Sequence, residues 1–111
     1  MEDDEARQTE VPPGATMILE CTSDTGVTLE VKHGQVIGRE ADIDVSDLSD
    51  SQYMSRKHAR FHHKRGRWHL ENLSSKSFTY VNGKQVSPGD TLELKPGDRL
   101  TFGTTRCTYK E

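Results

Sequence analysis

Residues 79–102 read TYVNGKQVSPGDTLELKPGDRLTF, and they show the pattern of short strands and tight turns most clearly. Asn82-Gly83 stands between two short runs, 79–81 and 84–86, and both of its residues tolerate the positive φ angles of a two-residue hairpin turn. The segments 87–90 and 95–98 each place Pro and then Gly at the central positions, as a type II turn prefers. The stretch therefore predicts consecutive short antiparallel strands joined by tight turns.

The same two-residue alternation of apolar and polar side chains continues on both sides of this stretch. It is found in 17–21, 27–32, 35–37, 59–64, 68–71 and 105–110. Each run is short, half apolar and bounded by turn residues, which is typical of a strand with one buried face. We count about ten or eleven strands and no convincing helix, so the sequence predicts an all-β fold, an antiparallel β-sandwich of two sheets. Only the segment 40–54 lacks this alternation, and it is expected to be a long loop that is either functional or mobile.

The amino-acid composition and charge argue against some classes of function. The 111 residues predict one domain, the net charge of −3 gives no push toward nucleic acid, and no run of eighteen apolar residues is present to cross a membrane. Five of the first ten residues are acidic, so we expect a disordered acidic tail over 1–15 and a folded domain over 16–111.

Cys21 and Cys107 form no CxxC motif and fit reduced thiols in the cytoplasm, with a disulfide as the less favoured alternative.

Three loop motifs carry the unusual residues. They are Gly38-Arg39, Ser55-Arg56-Lys57-His58 and Asn82-Gly83. In this order and spacing, on an all-β pattern, they resemble the signature of the forkhead-associated (FHA) domain over residues 17–110. In addition, the segment between residues 51 and 70 holds six Lys or Arg residues and no acid, which indicates a local positive surface.

The resemblance implies a phosphothreonine-binding adaptor in Ser/Thr-kinase signalling, with no catalysis, no cofactor and no metal. It assigns Arg39 and Ser55 to the phosphate and Arg56 to the phosphate or the ligand backbone. Structural support of the site is assigned to Gly38, His58, Asn82 and Gly83. The chemistry is suitable, because a guanidinium offers a planar fork of donors to phosphate oxygens and a hydroxyl can donate to a third. Family sites also hold the extra methyl group of threonine in an apolar niche, which implies a preference over phosphoserine.

One departure from the family pattern lies just before the late hairpin. Ser77 stands where the family commonly has an asparagine that grips the ligand backbone, and Phe78 replaces a glycine. Lys76 occupies a common threonine position and adds positive charge. The expected ligand-binding set is therefore Arg39, Ser55, Arg56, Lys76 and Ser77. The departure also keeps open a phosphate-independent interaction scaffold of the same fold.

Other interpretations have weaker support. The five histidines lack a Cys or carboxylate at metal spacing, and the aspartates of 42–50 do not match a calcium loop. A hydrolase using Ser55 and His58 lacks the Gly-x-Ser-x-Gly elbow, and Trp68 is expected in the core rather than on a nucleic-acid surface. Thr9 is either a regulatory phosphosite or part of an inert linker. The partner, the kinase, the oligomeric state and whether the chain is a fragment stay open.

Overall fold

A computed structural model describes residues 16–21, 27–46 and 51–110 of the chain. Within these ranges it contains eleven strands and a single 3-10 turn, Ser51–Tyr53. The strands are β1 Thr16–Cys21, β2 Val27–Lys32, β3 Val36–Gly38, β4 Ile43–Asp44, β5 Ala59–Lys64, β6 Arg67–Asn72, β7 Thr79–Val81, β8 Lys84–Gln85, β9 Thr91–Leu94, β10 Arg99–Phe102 and β11 Thr105–Lys110. The expected acidic tail and Thr9 lie outside the described residues.

The strands form two sheets packed face to face. The six-stranded sheet has the order β2-β1-β11-β10-β7-β8, and the five-stranded sheet has the order β4-β3-β5-β6-β9. The predicted all-β sandwich of about ten or eleven strands is confirmed. Its pairs are antiparallel with one exception, since β3 and β4 run parallel, with Ile37 opposite Ile43.

Residues 40–46 and 51–54, the described parts of the segment 40–54, are less irregular than the sequence suggested. β4 adds an edge strand to the five-stranded sheet, and the 3-10 turn precedes β5. Ile43 and Val45 are 8% and 2% exposed, so they anchor this segment in the core. The Asp42 carboxylate also accepts a hydrogen bond from the Val36 N–H at 3.0 Å. A strand of two residues gives too short an alternation to be recognised from sequence.

The predicted turns are confirmed. Asn82 and Gly83 have φ angles of 54° and 82°, and the flanking residues Val81 and Lys84 pair across the hairpin. Gly89 has a φ of 86° in the turn 87–90, and Gly97 has a φ of 94° in the turn 95–98. Both turns are closed by a hydrogen bond of 3.0 Å between their first carbonyl and their last N–H. Register through this part of the chain is thereby fixed by local backbone geometry.

The core lies between the two sheets. Phe61 of β5 and Phe102 of β10 are fully buried and meet edge to face, with ring centroids 6.5 Å apart. Trp68 is 5% exposed, which confirms its predicted place in the core. None of the described segments forms a helix with the length and hydropathy needed to span a membrane.

β1 and β11 pair in the middle of the six-stranded sheet. Ile18 lies opposite Lys110 at one end of this ladder, and Cys21 lies opposite Cys107 at the other. The two cysteines are buried, they are not joined by a disulfide, and their Sγ atoms lie 3.3 Å apart. The hydrogen bond with Cys21 and the burial of the site raise the pKa of Cys107. The Cys107 thiol therefore stays protonated at neutral pH.

Candidate functional site

Loops from both sheets meet at one end of the sandwich and enclose a groove of about 500 Å³. It is lined by Arg39, Gln52, Tyr53, Met54, Ser55, Arg56, Lys76 and Ser77. All five residues expected to contact a ligand are in this lining. Among the described residues of this lining, three side chains are cationic and none is acidic, so this part of the groove is positively charged although the chain is negative overall.

Arg39 is fixed to the opposite wall of the groove by two hydrogen bonds. Its backbone N–H donates to the Ser55 carbonyl at 3.3 Å, and its Nε–H donates to the Met54 carbonyl at 2.6 Å. The second bond orients the plane of the guanidinium while using one of its five N–H donors. Within the described part of the chain, the Nη atoms have no partner and remain for a ligand.

Gly38 allows the close approach of β3 to the loop that precedes β5. A Cβ atom at this position would lie 2.0 Å from the Arg56 carbonyl oxygen and 2.9 Å from that of Ser55. The Arg56 carbonyl also accepts the Glu40 N–H at 3.0 Å. Any side chain at Gly38 would therefore push Ser55 and Arg56 away from Arg39. This steric requirement is the physical reason for the Gly-Arg pair.

Ser55 is held by a neighbour that the sequence analysis missed. Its Oγ lies 2.5 Å from the Oγ of Ser74, a residue only 3% exposed. Ser74 Oγ in turn accepts the Ser77 N–H at 3.0 Å, and the Ser74 N–H donates to the Asn72 side chain at 3.1 Å. When Ser74 donates its hydroxyl proton to Ser55, the proton of Ser55 becomes available to a ligand oxygen.

The His58 imidazole connects the loop that carries Ser55 with Thr79 at the start of β7. It is fully buried, and its Nδ1 accepts the Ser55 N–H at 3.0 Å. Its Nε2 lies 2.8 Å from the Thr79 Oγ1, and the Thr79 hydroxyl donates to the Asn72 Oδ1 at 2.9 Å. Because that hydroxyl has one proton, Nε2 must carry the hydrogen that Thr79 accepts. The ring is therefore neutral, with its proton on Nε2.

Burial lowers the pKa of His58 to about 4, and a backbone hydrogen bond with Phe78 partly opposes this shift. A neutral ring at physiological pH agrees with the hydrogen-bond directions. The same geometry argues against a Ser–His nucleophile, because the Ser55 Oγ contacts Ser74 and only the Ser55 backbone contacts the imidazole.

Asn82 and Gly83 do not line the groove. Asn82 Oδ1 accepts the Arg99 N–H at 2.9 Å, and its Nδ2 donates to the Asp98 carboxylate at 3.0 Å. The hairpin is thereby attached to the start of β10 and stands beside a different hollow, which it shares with Arg99 and Arg106. Its connection to the groove is indirect, through β7.

The basic segment between residues 51 and 70 is divided among several surfaces. Of its six cations, only Arg56 lines the groove. Arg67 is paired with Glu93 at 3.3 Å on the five-stranded sheet. His62 contacts the Glu71 carboxylate at 2.9 Å. Among residues 16–21, 27–46 and 51–110, no three His, Cys, Asp or Glu side chains come together in a way that would hold a metal ion.

Ser77 lines the groove, but its hydroxyl proton is already used. The Ser77 Oγ donates to the Tyr53 carbonyl at 2.6 Å, which ties the loop between β6 and β7 to the 3-10 turn. Its backbone N–H is directed to Ser74. Ser77 therefore offers a ligand only the lone pairs of its hydroxyl oxygen, where an asparagine would also offer an N–H.

A positive groove between loops at one end of an 11-stranded β-sandwich defines a loop-based recognition module. The FHA domain family model matches residues 35–103, which is more than half of the chain. The chain therefore belongs to the FHA domain family, whose members are phosphopeptide-binding modules and typically not enzymes.

Known relatives and solved structures resemble this chain to different extents. It is 36% identical to Protein FraH from Nostoc sp. strain PCC 7120 over 62 residues, which are 56% of this chain and 22% of FraH. The chain thus spans about a fifth of that curated relative. The FhaA FHA domain complexed with the intracellular domain of Rv3910 has a TM-score of 0.70 at 25% identity, covering 85% of this chain and 99% of that one. The N-terminal FHA domain of S. cerevisiae Rad53p in complex with a phosphothreonine peptide has a TM-score of 0.69 at 18% identity, covering 86% and 93%.

Proposed function

We propose that this chain binds phosphothreonine-containing segments of other proteins and acts as a non-enzymatic adaptor in Ser/Thr-kinase signalling. The observation that carries the proposal is the pairing of Arg39 and Ser55. They come from separate loops, they line one groove, and a backbone hydrogen bond of 3.3 Å joins them. A guanidinium and a hydroxyl placed side by side can hold oxygens of the same phosphate group.

The charge of the groove fits such a ligand. Phosphothreonine carries about −1.5 to −2 charges at neutral pH, and three cations face it here from Arg39, Arg56 and Lys76. The Arg39 Nη groups form the fork for two phosphate oxygens, and Ser55 donates to the third. Arg56 and Lys76 add attraction and cover the ligand backbone, and Ser77 accepts a ligand N–H.

The expected energies are large enough to test by single substitutions. A charge-assisted hydrogen bond contributes about 1.5–3 kcal/mol, which corresponds to a change in Kd of about 10- to 150-fold. Arg39→Ala removes two such bonds, so it should abolish a micromolar interaction. Arg39→Lys keeps the positive charge but loses the planar pair of N–H donors. Despite the retained charge, this variant should bind phosphopeptides at least about tenfold more weakly than the wild type.

The decisive experiment is a titration of a phosphothreonine peptide library and its unphosphorylated twin. The wild type should bind only the phosphorylated peptides, and Arg39→Ala and Ser55→Ala should lose that binding without losing the fold. Arg67→Ala, which removes an arginine outside the groove, is the matched control and should bind like the wild type. Equal binding of both peptide sets by the wild type would contradict the proposal.

A preference for phosphothreonine over phosphoserine is a further part of the proposal. It rests on the apolar niche for the threonine methyl group that the family resemblance implies. Titration of one peptide carrying either phosphoresidue measures it directly. Equal affinities would refute this preference while leaving phosphate-dependent binding in place.

A phosphate-independent scaffold is the second candidate. The observation that favours it is the Ser77 hydroxyl, which is committed to Tyr53 rather than to a ligand. The same titration separates the two candidates, because a scaffold would bind both peptide sets and would tolerate Arg39→Ala.

We place the protein in the cytoplasm, with protein partners and without nucleic acid, membrane, metal or cofactor. Support comes from the thiols of Cys21 and Cys107, which stay reduced most readily in that compartment. Localisation of a tagged chain by fluorescence microscopy tests this placement.

A further inference from the structure

The chain contains two cysteines, and the fold brings them together. Cys21 and Cys107 are 86 positions apart in the sequence, yet they lie directly opposite each other on the neighbouring strands β1 and β11, with their Sγ atoms 3.3 Å apart. Each residue is only 1% exposed, and neither lines the groove. Packing alone would accept any small apolar side chain at either position, so the meeting of the two sulfurs points to their chemistry.

The geometry of the pair suits a disulfide. Opposite residues of antiparallel strands have Cα atoms about 4.5 Å or about 5.5 Å apart, depending on whether the two residues exchange backbone hydrogen bonds. Both separations fall within the range of about 4.4–6.8 Å that disulfides span. The sulfurs are already in contact, and an S–S bond of about 2.05 Å requires them to approach by little more than about 1 Å. Small rotations of the two side chains supply this movement, so β1 and β11 can stay paired.

The surroundings of the pair argue against other uses of the sulfurs. Val27 of β2 lies opposite Cys21 on its other side, and Leu100 of β10 lies opposite Cys107. Apolar neighbours do not stabilise a thiolate, so neither sulfur is activated as a nucleophile in the folded chain. Within the described ranges, no third His, Cys, Asp or Glu side chain joins the pair to hold a metal ion. Oxidation to a disulfide is the reaction that two adjoining sulfurs can still undergo.

We propose that Cys21 and Cys107 form a reversible redox site, in which oxidised glutathione converts the two thiols to a disulfide that joins β1 to β11. One cysteine, as its thiolate, attacks a sulfur of oxidised glutathione and releases the first glutathione. The other cysteine then attacks the protein sulfur of this mixed disulfide and expels the second glutathione. The two cysteines lose two electrons and two protons, which appear in two molecules of reduced glutathione. The pair stays reduced in a reducing compartment and closes when the glutathione pool becomes oxidised.

The position of the pair gives the oxidant a way in. Cys21 is the last residue of β1, and it ends the ladders that β1 forms with β11 and with β2. The end of a ladder opens at a lower free-energy cost than its middle, so a local opening exposes the sulfurs without global unfolding. Oxidation is expected to be slow, because both side chains are buried while the ladder is closed. A glutathione attached to one sulfur cannot be packed inside the closed sandwich, which favours the second step.

The disulfide would cross-link the first and the last strand of the domain. It closes a loop from residue 21 to residue 107, so it restricts the unfolded chain strongly. The folded chain changes little, because β1 and β11 are already neighbours in the six-stranded sheet. The oxidised domain should therefore unfold at a Tm about 10 °C or more above that of the reduced domain. The consequence is a domain that resists unfolding under oxidising conditions.

The test compares the reduced chain with the same chain kept under native conditions in an excess of oxidised glutathione. Mass spectrometry should show the loss of two hydrogen atoms and no attached glutathione. After unfolding, iodoacetamide should modify both cysteines of the reduced sample and neither cysteine of the oxidised one. Thermal unfolding should show the higher Tm, and dithiothreitol should reverse both changes. Cys107→Ala is the matched control, because it keeps Cys21 but cannot form the bridge, and its Tm should not rise in oxidised glutathione.

A disulfide within one chain together with a raised Tm would support the proposal. Glutathione attached to both cysteines, a bridge between two chains, or two thiols that persist after the incubation would overturn it. A bridged domain whose Tm is not raised would overturn it as well. Should Cys107→Ala fail to fold, the oxidised and reduced forms of the wild type decide the question by themselves. None of these measurements involves a phosphopeptide, so the outcome is independent of the proposed function.

Discussion

Acidification should weaken the fold through His58, because its pKa is about 4 in the folded chain against an ordinary value of 6.5. Between these two values, the unfolded chain binds a proton that the folded chain does not. Folding stability therefore rises with pH across this window and is lost as the pH falls through it. The free energy of unfolding should drop by about 2 kcal/mol between pH 7 and pH 5, and by about 3 kcal/mol when pH 4 is reached.

The structure explains why the folded chain resists this proton. Nδ1 accepts the Ser55 N–H, so a proton there would remove that hydrogen bond and leave a charge inside the core. Urea unfolding followed by tryptophan fluorescence between pH 4 and pH 7.5 measures the effect through the buried Trp68. His58→Asn is the control variant, because it keeps an acceptor near Ser55 and cannot be protonated in this range. The difference between the two stability profiles isolates His58 from all other titrating groups.

The contribution of Asp44 to stability does not change in the pH range between the two pKa values of His58. Its hydrogen bonds with Ser46 hold the pKa of its carboxyl below the ordinary value of 3.8, so its contribution to stability is lost at still lower pH. If the wild-type and His58→Asn profiles run parallel between pH 5 and pH 6.5, or if NMR finds the ring titrating near 6.5, the burial argument is wrong.

Three further predictions follow from single contacts. Gly38→Ala places a methyl group 2.0 Å from the Arg56 carbonyl oxygen, so it should cost about 1–3 kcal/mol or more in urea unfolding and abolish phosphopeptide binding; a stable variant with wild-type affinity would contradict this. Cys21 and Cys107 should not react with Ellman's reagent at pH 8 until the domain is unfolded, since both side chains are buried and the pKa of Cys107 is raised; rapid reaction of the native chain would refute it. Ser74→Ala should weaken phosphopeptide binding by about 3- to 10-fold in calorimetry, because the variant loses the hydroxyl that orients Ser55, the serine proposed to bind phosphate, and an unchanged Kd would exclude this role.

The fold was predictable because its determinants are local. The turns at 82–83, 87–90 and 95–98 fix register through residues whose backbone preferences are visible in the sequence, and alternation assigned Trp68 to the core. The 2-residue strand β4 was missed because its partner is remote and its alternation is too short.

The lining of the candidate site was predictable only in part. The positions of Arg39, Ser55 and Lys76 in one groove were implied by the resemblance to the FHA family, but the residues that orient them were not. Ser74 and Thr79 are buried at strand ends by contacts formed across the chain, and a serine or threonine in a loop looks the same in sequence whether it is solvated or buried. Steric facts such as the contact of Gly38 with the next loop also need coordinates.

The pairing of β1 with β11 has a practical consequence. Ile18 lies opposite Lys110, and Cys107 lies nearer the turn at Gly103, which contacts the loops around the groove. The start of β1 at residue 16 and the end of β11 at residue 110 therefore both lie at the end of the sandwich opposite those loops. A tag, a fluorophore or a sensor surface joined to β1 or β11 would thus leave the positively charged groove facing the solution. Other domains fused to either strand would lie on the side away from the groove, where they do not compete with an incoming ligand for space.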